Sequence, residues 1–155
     1  MKLHLACGKI RLEGFRNIDI VPTEATDEIA DLRALDYPDG SVSEIAIFQT
    51  LQFFTYEELR SILRSFHRWL TDDGRIVLSI PNFNKIVLRY PKYFFRFDEQ
   101  LGGDIIGFWY PHRSLFTPRF FKSFVSQLGF RARVAVDERC RPHWTMTIFE
   151  LVKRK

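Results

Sequence analysis

Four short apolar segments of the chain each end in a residue suited to chemistry. Leu3-His4-Leu5 runs into Ala6-Cys7-Gly8, and Asn17-Ile18-Asp19-Ile20 carries a carboxylate. Glu28-Ile29-Ala30 is followed by Asp31-Leu32, and the stretch from Ser43 to Phe48 by Gln49-Thr50-Leu51. A glycine at a strand-to-loop turn lets backbone approach a ligand with no Cβ in the way. A carboxylate ending the neighbouring strand accepts hydrogen bonds from both hydroxyls of a ribose. A second carboxylate one strand further out is placed for an adenine amino group. Singly, each of these is also what an ordinary turn or a loop-capping Asp provides; together, in this order, they describe a nucleoside site. His112, in Tyr110-Pro111-His112-Arg113-Ser114, is the candidate general base, since a neutral imidazole takes a proton near pH 7. The competing role for His112 is a hydrogen-bonded fastening of its own loop. His67 inside a helix, His4 inside the first strand and His143 in a closing loop are weaker candidates.

Bulk properties narrow the function classes. With 155 residues and 46% hydrophobic content, the chain suits one domain over residues 1–155. Its sixteen Phe residues make an aromatic core and can also line a pocket. Only Cys7 and Cys140 are present, with no CxxC and no Cys/His set at zinc-ligand spacing, so the sequence indicates neither disulfide nor metal. The N-terminus MKLHLACG has no secretory pattern, and no window approaches a membrane span of roughly 20 apolar residues. The expectation is a soluble, cytoplasmic protein. The net charge of +4 is spread along the chain, and Arg60, Arg64 and Arg68 share one helix face, so no nucleic-acid partner is expected.

The elements that must position these residues follow from pattern. Between the first two strands lie only about eight residues, too few for the dozen or more of a helical crossover, so any helix there is a single turn or absent. Thr55 with Glu58 forms a capping box ahead of Leu59, Ile62, Leu63, Phe66 and Leu70, which predicts a helix over residues 55–70. Asp72-Asp73-Gly74 reads as its terminator, and Arg75 to Ile80 as a buried parallel strand stopped by Pro81. Residues 82–115 have no clean period and are expected to form an irregular cover. Thr117-Pro118 opens a last helix that Gly129 ends, and Arg131 to Val136 and Thr145 to Val152 close the chain as strands. This order gives an α/β sheet with an antiparallel end, whose ligands bind outside the carboxyl ends of the parallel strands.

At this point a family likeness emerges. LACGKIRLEGFRNIDI resembles the opening of small S-adenosylmethionine (SAM) dependent methyltransferases of the class I, Rossmann-like kind, methyltransferase type 11-like, in which a CG turn leads to a GF-x-N-hydrophobic-D strand. DLRALDYPDGSVSEIAIFQTLQFFTYEEL, HRWLTDDGRIVLSIPNF and HRSLFTPRFFKSFVSQLGFRA resemble their later blocks, so the likeness spans nearly the whole chain. It implies a three-layer sheet of order 3-2-1-4-5-7-6 with the last strand antiparallel, abbreviated at the first helices. It further implies SAM, or its product S-adenosylhomocysteine (SAH), across the tips of strands one to four. Ala6, Cys7 and Gly8 would then pass under the methionine part, Asp19 would hold the ribose, Asp31 and Leu32 would meet the adenine, and Gln49 would border the sulfonium.

The activity so implied is methyl transfer to a small molecule or glycan precursor, with a homodimer left open. Two positions differ from the family pattern: Ala6 stands where Gly is common, and Leu51-Gln52-Phe53 stands where a Glu-His pair often follows the Leu. They motivate the alternative, a non-catalytic binding or interaction module on the same fold. A nicotinamide oxidoreductase is disfavoured, because a GxGxxG turn and its helix have no room here. The aromatic and basic residues Tyr90, Tyr93, Phe94, Phe95 and Trp109 among Arg89, Lys92 and Arg96 could wall an acceptor pocket, or meet a membrane surface or a partner.

Overall fold

The computed structural model describes residues 1–89, 112–137, 139 and 145–154. Its strands are β1 (Lys2–Leu5), β2 (Arg16–Asp19), β3 (Glu28–Ile29), β4 (Val42–Phe48), β5 (Leu70–Pro81), β6 (Phe130–Val134) and β7 (Met146–Lys153). They form one sheet of order β3-β2-β1-β4-β5-β7-β6. The β3–β2, β2–β1, β1–β4 and β4–β5 pairs are parallel, and β7 runs antiparallel to both β5 and β6. This is the sheet that the resemblance implies. Among the described residues three helices accompany it, α1 (Tyr56–Trp69), α2 (Phe83–Arg89) and α3 (Pro118–Ser126), with a 3-10 turn at Leu51–Phe53.

The register sorts the strand residues onto two unlike faces. One carries Leu3, Leu5, Ile45, Ile47, Leu78 and Phe149, all at most 1% exposed. Against it pack Leu59, Leu63 and Phe66 of α1 and Phe121, Phe124 and Val125 of α3. Each such side chain removed from water contributes about 1.5–3 kcal/mol. Both helices start where the sequence says. Thr55 Oγ1 accepts from the Glu58 N–H while Glu58 Oε2 accepts from the Thr55 N–H, and Thr117 caps α3 ahead of Pro118. Gly129 stops α3 at φ +86°, and a Cβ there would stand 2.8 Å from His67 Nε2, so both backbone and space require glycine.

The other face carries His4, Asn17, Glu44, Arg75, Ser79 and Glu150, with the small apolar Ala46 and Val77 among them. An alternating row of charge crosses it, from Lys2 to Glu44 (3.3 Å), Glu44 to Arg75 (3.2 Å), Arg75 to Glu150 (3.8 Å) and Glu150 to Arg133 (2.7 Å). Arg139 reaches Glu44 at 2.8 Å and lies over the Phe15 ring. No helix lies between β1 and β4, where loops replace it. The loop from Cys7 to Phe15 is held by the amide of Asn17, which is 0% exposed. Its Oδ1 accepts from the Leu12 N–H, and its Nδ2 donates to Leu12 O, Phe15 O and Asp27 Oδ2. That pattern fixes the amide's orientation, so His4 carries its proton on Nδ1 and donates to Asn17 Oδ1 at 2.9 Å.

Two expectations need correction. Residues 82–115 are not irregular throughout: Asn82 Oδ1 accepts from the Lys85 N–H and opens α2, a helix of seven residues and so too short to show a period. Asn82 also bridges Phe116, which brings the two described ends of the segment together. The aromatic and basic cluster at positions 90–111 lies outside the described residues, as do Cys140, Pro142 and His143. Asp72-Asp73-Gly74 does not separate helix from strand either. β5 begins at Leu70, paired with Val42, and the ladder resumes at Arg75 with Glu44, so these residues form a bulge inside the strand.

Candidate functional site

The carboxyl end of β1 turns sharply. Ala6 has φ +52° and Gly8 φ +56°, a region where a side chain is strained. Gln49, at the end of the adjacent strand β4, has φ +53°. Such conformations cost on the order of 1–3 kcal/mol each and persist where neighbours impose them. The neighbours are visible: the Cys7 N–H donates to Ile18 O at 3.1 Å, the Gln49 N–H to Ser79 Oγ at 3.0 Å, and Gln52 Nε2 to Gln49 O at 2.8 Å. A Cβ built on Gly8 meets nothing within 4 Å, so the turn borders open space and glycine there relieves strain rather than crowding.

Asp19 joins β2 to this turn. Its Oδ2 accepts from the Gly8 N–H at 2.8 Å and its Oδ1 from the Val21 N–H at 3.0 Å. A carboxylate has about four acceptor positions, so two remain for a ligand. Asp19 and Asp31 then line one cleft of about 130 Å³. Ala6 stands at its β1 side, Leu32 and Arg33 beyond Asp31, and Thr50 and Phe54 bracket it from the 3-10 turn. That volume suits a flat ring system rather than a whole drug-sized ligand, whose pockets run to about 300–1,000 Å³. Asp31 is held by its own neighbour, with Arg33 donating from Nε to Oδ1 at 3.0 Å and from Nη2 to Oδ2 at 2.6 Å. The guanidinium keeps the Asp31 carboxyl below the usual carboxylate range.

Of the sequence candidates, Ala6, Asp19, Asp31 and Leu32 line the cleft, Gly8 is tied to Asp19, and Gln49 precedes the cleft residue Thr50. Cys7 offers only backbone: its buried Sγ faces Thr26 Oγ1 at 3.8 Å, and burial pushes the thiol up. His112 is not among the cleft residues. Its ring lies 5.6 Å from that of Phe53, and the following Arg113 and Ser114 N–H groups both donate to Gln52 O. Burial lowers the imidazole below its ordinary 6.5, so it is neutral at pH 7. The 3-10 turn thus meets the segment from His112 to Ser114 through Gln52 and Phe53, while its flanking residues Thr50 and Phe54 line the cleft.

The sequence reading missed Arg33 and Phe54, and it gave Thr50 and the amide of Gln52 no role of their own. Gln52 is 2% exposed, and its Oε1 has no partner among the described residues. Arg33 had a signal, a cation two residues after Asp31. Among the described residues, no group of three or more His, Cys, Asp or Glu could hold a metal, and no helix is long and apolar enough to cross a membrane.

No protein-family model matches the chain, and no curated protein sequence does. Solved structures do. The YcgJ protein of Bacillus subtilis matches with TM-score 0.62 at 11% identity, over 99% of this chain and 92% of that one. A SAM-dependent methyltransferase of Thermotoga maritima, described as a possible histamine N-methyltransferase, matches with TM-score 0.62 at 12% identity, over 99% and 82%. The 1,6-didemethyltoxoflavin-N1-methyltransferase of Burkholderia thailandensis, solved with its substrate and SAH, matches with TM-score 0.69 at 13% identity, over 99% and 71%. Strand order, the antiparallel β7 and these neighbours together identify the fold as the class I, Rossmann-like fold of SAM-dependent methyltransferases.

Proposed function

We propose that the chain binds SAM across the carboxyl ends of β1 to β4 and methylates a small molecule or glycan precursor. The observation that carries this is the joining of Gly8 to Asp19, with Asp31 in the same cleft. The residues fit the ligand. Asp19 keeps free acceptor positions for ribose hydroxyls, Asp31 and Leu32 border a slot the size of a purine, and the turn of Ala6, Cys7 and Gly8 opens onto space for the methionine part. Gln49 would border the sulfonium. SAM supplies an activated methyl group; the protein supplies alignment, which accounts for much of the rate in such displacements. His112, neutral and half-buried, is the candidate to take the acceptor's proton. The small-molecule acceptor of the Burkholderia neighbour supports that substrate class. Isothermal titration with SAM and with SAH tests the proposal, and absence of binding to either would overturn it.

The second reading, a non-catalytic module of the same fold, is favoured by the 3-10 turn. Gln52 and Phe53 place no ionisable side chain there, and His112 packs on Phe53 and is not among the cleft residues. Methyl transfer from labelled SAM to any member of an acceptor panel would exclude it.

A further inference from the structure

Arg33 lines two cavities. One is the cleft of Asp19 and Asp31; the other, about 180 Å³, is bounded by Leu32, Leu35, Glu58, Ser61 and Ser65. Leu32 and Leu35 also line both, so the two cavities adjoin along Leu32, Arg33 and Leu35.

The guanidinium stands between two carboxylates. It is forked on Asp31, at 2.6 Å for the shortest contact, while Nη1 is 3.5 Å from Glu58 Oε1. Glu58 is a fixed post: its Oε2 accepts from the Thr55 N–H and hydroxyl and from Arg113, which leaves Oε1 turned to Arg33. Release of the Asp31 fork leaves the guanidinium beside Glu58, so the cation keeps a partner. Both pairs are partly exposed, so little free energy separates the two positions.

We propose that Arg33 is the partition that sets the affinity of the nucleoside site. A purine ligand binds as the guanidinium leaves Asp31 and stays beside Glu58, which frees the Asp31 carboxylate for the ligand. This rests on the nucleoside site put forward above. In the Asp31-paired state the carboxylate is withheld from the ligand, and the apparent affinity is reduced by the fraction of molecules so paired.

Calorimetric titration of SAH into the wild type, Arg33→Ala and Arg33→Lys tests the idea, with circular dichroism confirming the fold of each. Arg33→Ala is expected to bind SAH at least about threefold more tightly than the wild type, the factor matching a weak surface ion pair. Arg33→Lys, which cannot fork on a carboxylate, falls between them and decides the question alone if Arg33→Ala fails to fold. Raising salt from about 0.05 M to about 0.5 M should tighten binding to the wild type and not to Arg33→Ala, because salt screens the pair of Arg33 with Asp31. Equal or weaker binding by the variants, with wild-type binding intact, overturns the partition and leaves the nucleoside site standing. Absence of SAH binding by all three removes the site, and the partition with it.

Discussion

Ala6 and Gln49 end neighbouring parallel strands in the same left-handed conformation, φ +52° and +53°. Two strained residues side by side at a sheet edge mark the place where the fold gives up stability, and the candidate site lies there.

Replacing Ala6 by glycine should relieve the strain. Ala6→Gly is expected to be neutral or to stabilise by up to about 1 kcal/mol, whereas glycine inside a strand ordinarily costs roughly 0.5–1 kcal/mol. Urea unfolding measures it. Destabilisation of Ala6→Gly by more than about 1 kcal/mol would show that the methyl group packs usefully, against the strain argument.

Asp27 supplies an acid-sensitive link. The Asn17 backbone N–H, the Asn17 side chain and Arg11 hold its carboxyl at about 2, against 3.8 in the unfolded chain. The folded state thus binds the proton less readily, so the contribution is present above pH 3.8 and lost as pH falls through about 2. The stability gap between wild type and Asp27→Asn, read from urea midpoints, should be widest near neutrality and narrow below pH 3.8. A gap that stays constant with pH would disprove the link.

Burial lowers the His112 imidazole, so folded protein binds fewer protons than unfolded chain just below 6.5. His112 therefore costs stability as pH falls through that range, and none above it. NMR titration of its ring protons should give a midpoint below 6.5, and any methyl transfer should rise through the same midpoint and then stay flat. A midpoint above 6.5 would mean that a neighbouring carboxylate, and not burial, governs the His112 imidazole.

Much of the fold is legible in the sequence, for local reasons. The capping box of Thr55 and Glu58 and the run of Leu59, Ile62, Leu63 and Phe66 define α1 without reference to anything distant. Helix α2 was invisible because seven residues cannot display a 3.6-residue period, and its opening bond belongs to Asn82, which reads as loop. Asp72-Asp73-Gly74 carries the chemistry of a terminating turn, and only pairing with Val42 and Glu44 shows that it bulges within a strand. In the site, strand order brought Asp19 and Asp31 to one edge as expected. Side-chain direction is a different matter: nothing in ACG tells that Cys7 turns toward Thr26 while Ala6 faces the cleft. The contact between His112 and Phe53 joins residues far apart in the chain, so no local pattern records it.

The central claim is that Asp19 holds a ribose, and the affinity of SAH for the wild type and for Asp19→Ala tests it most directly. Each charge-assisted bond to a ribose hydroxyl is worth on the order of 1.5–3 kcal/mol, so the variant should bind roughly ten- to a hundredfold more weakly or worse. Undiminished affinity in a folded Asp19→Ala would contradict the account.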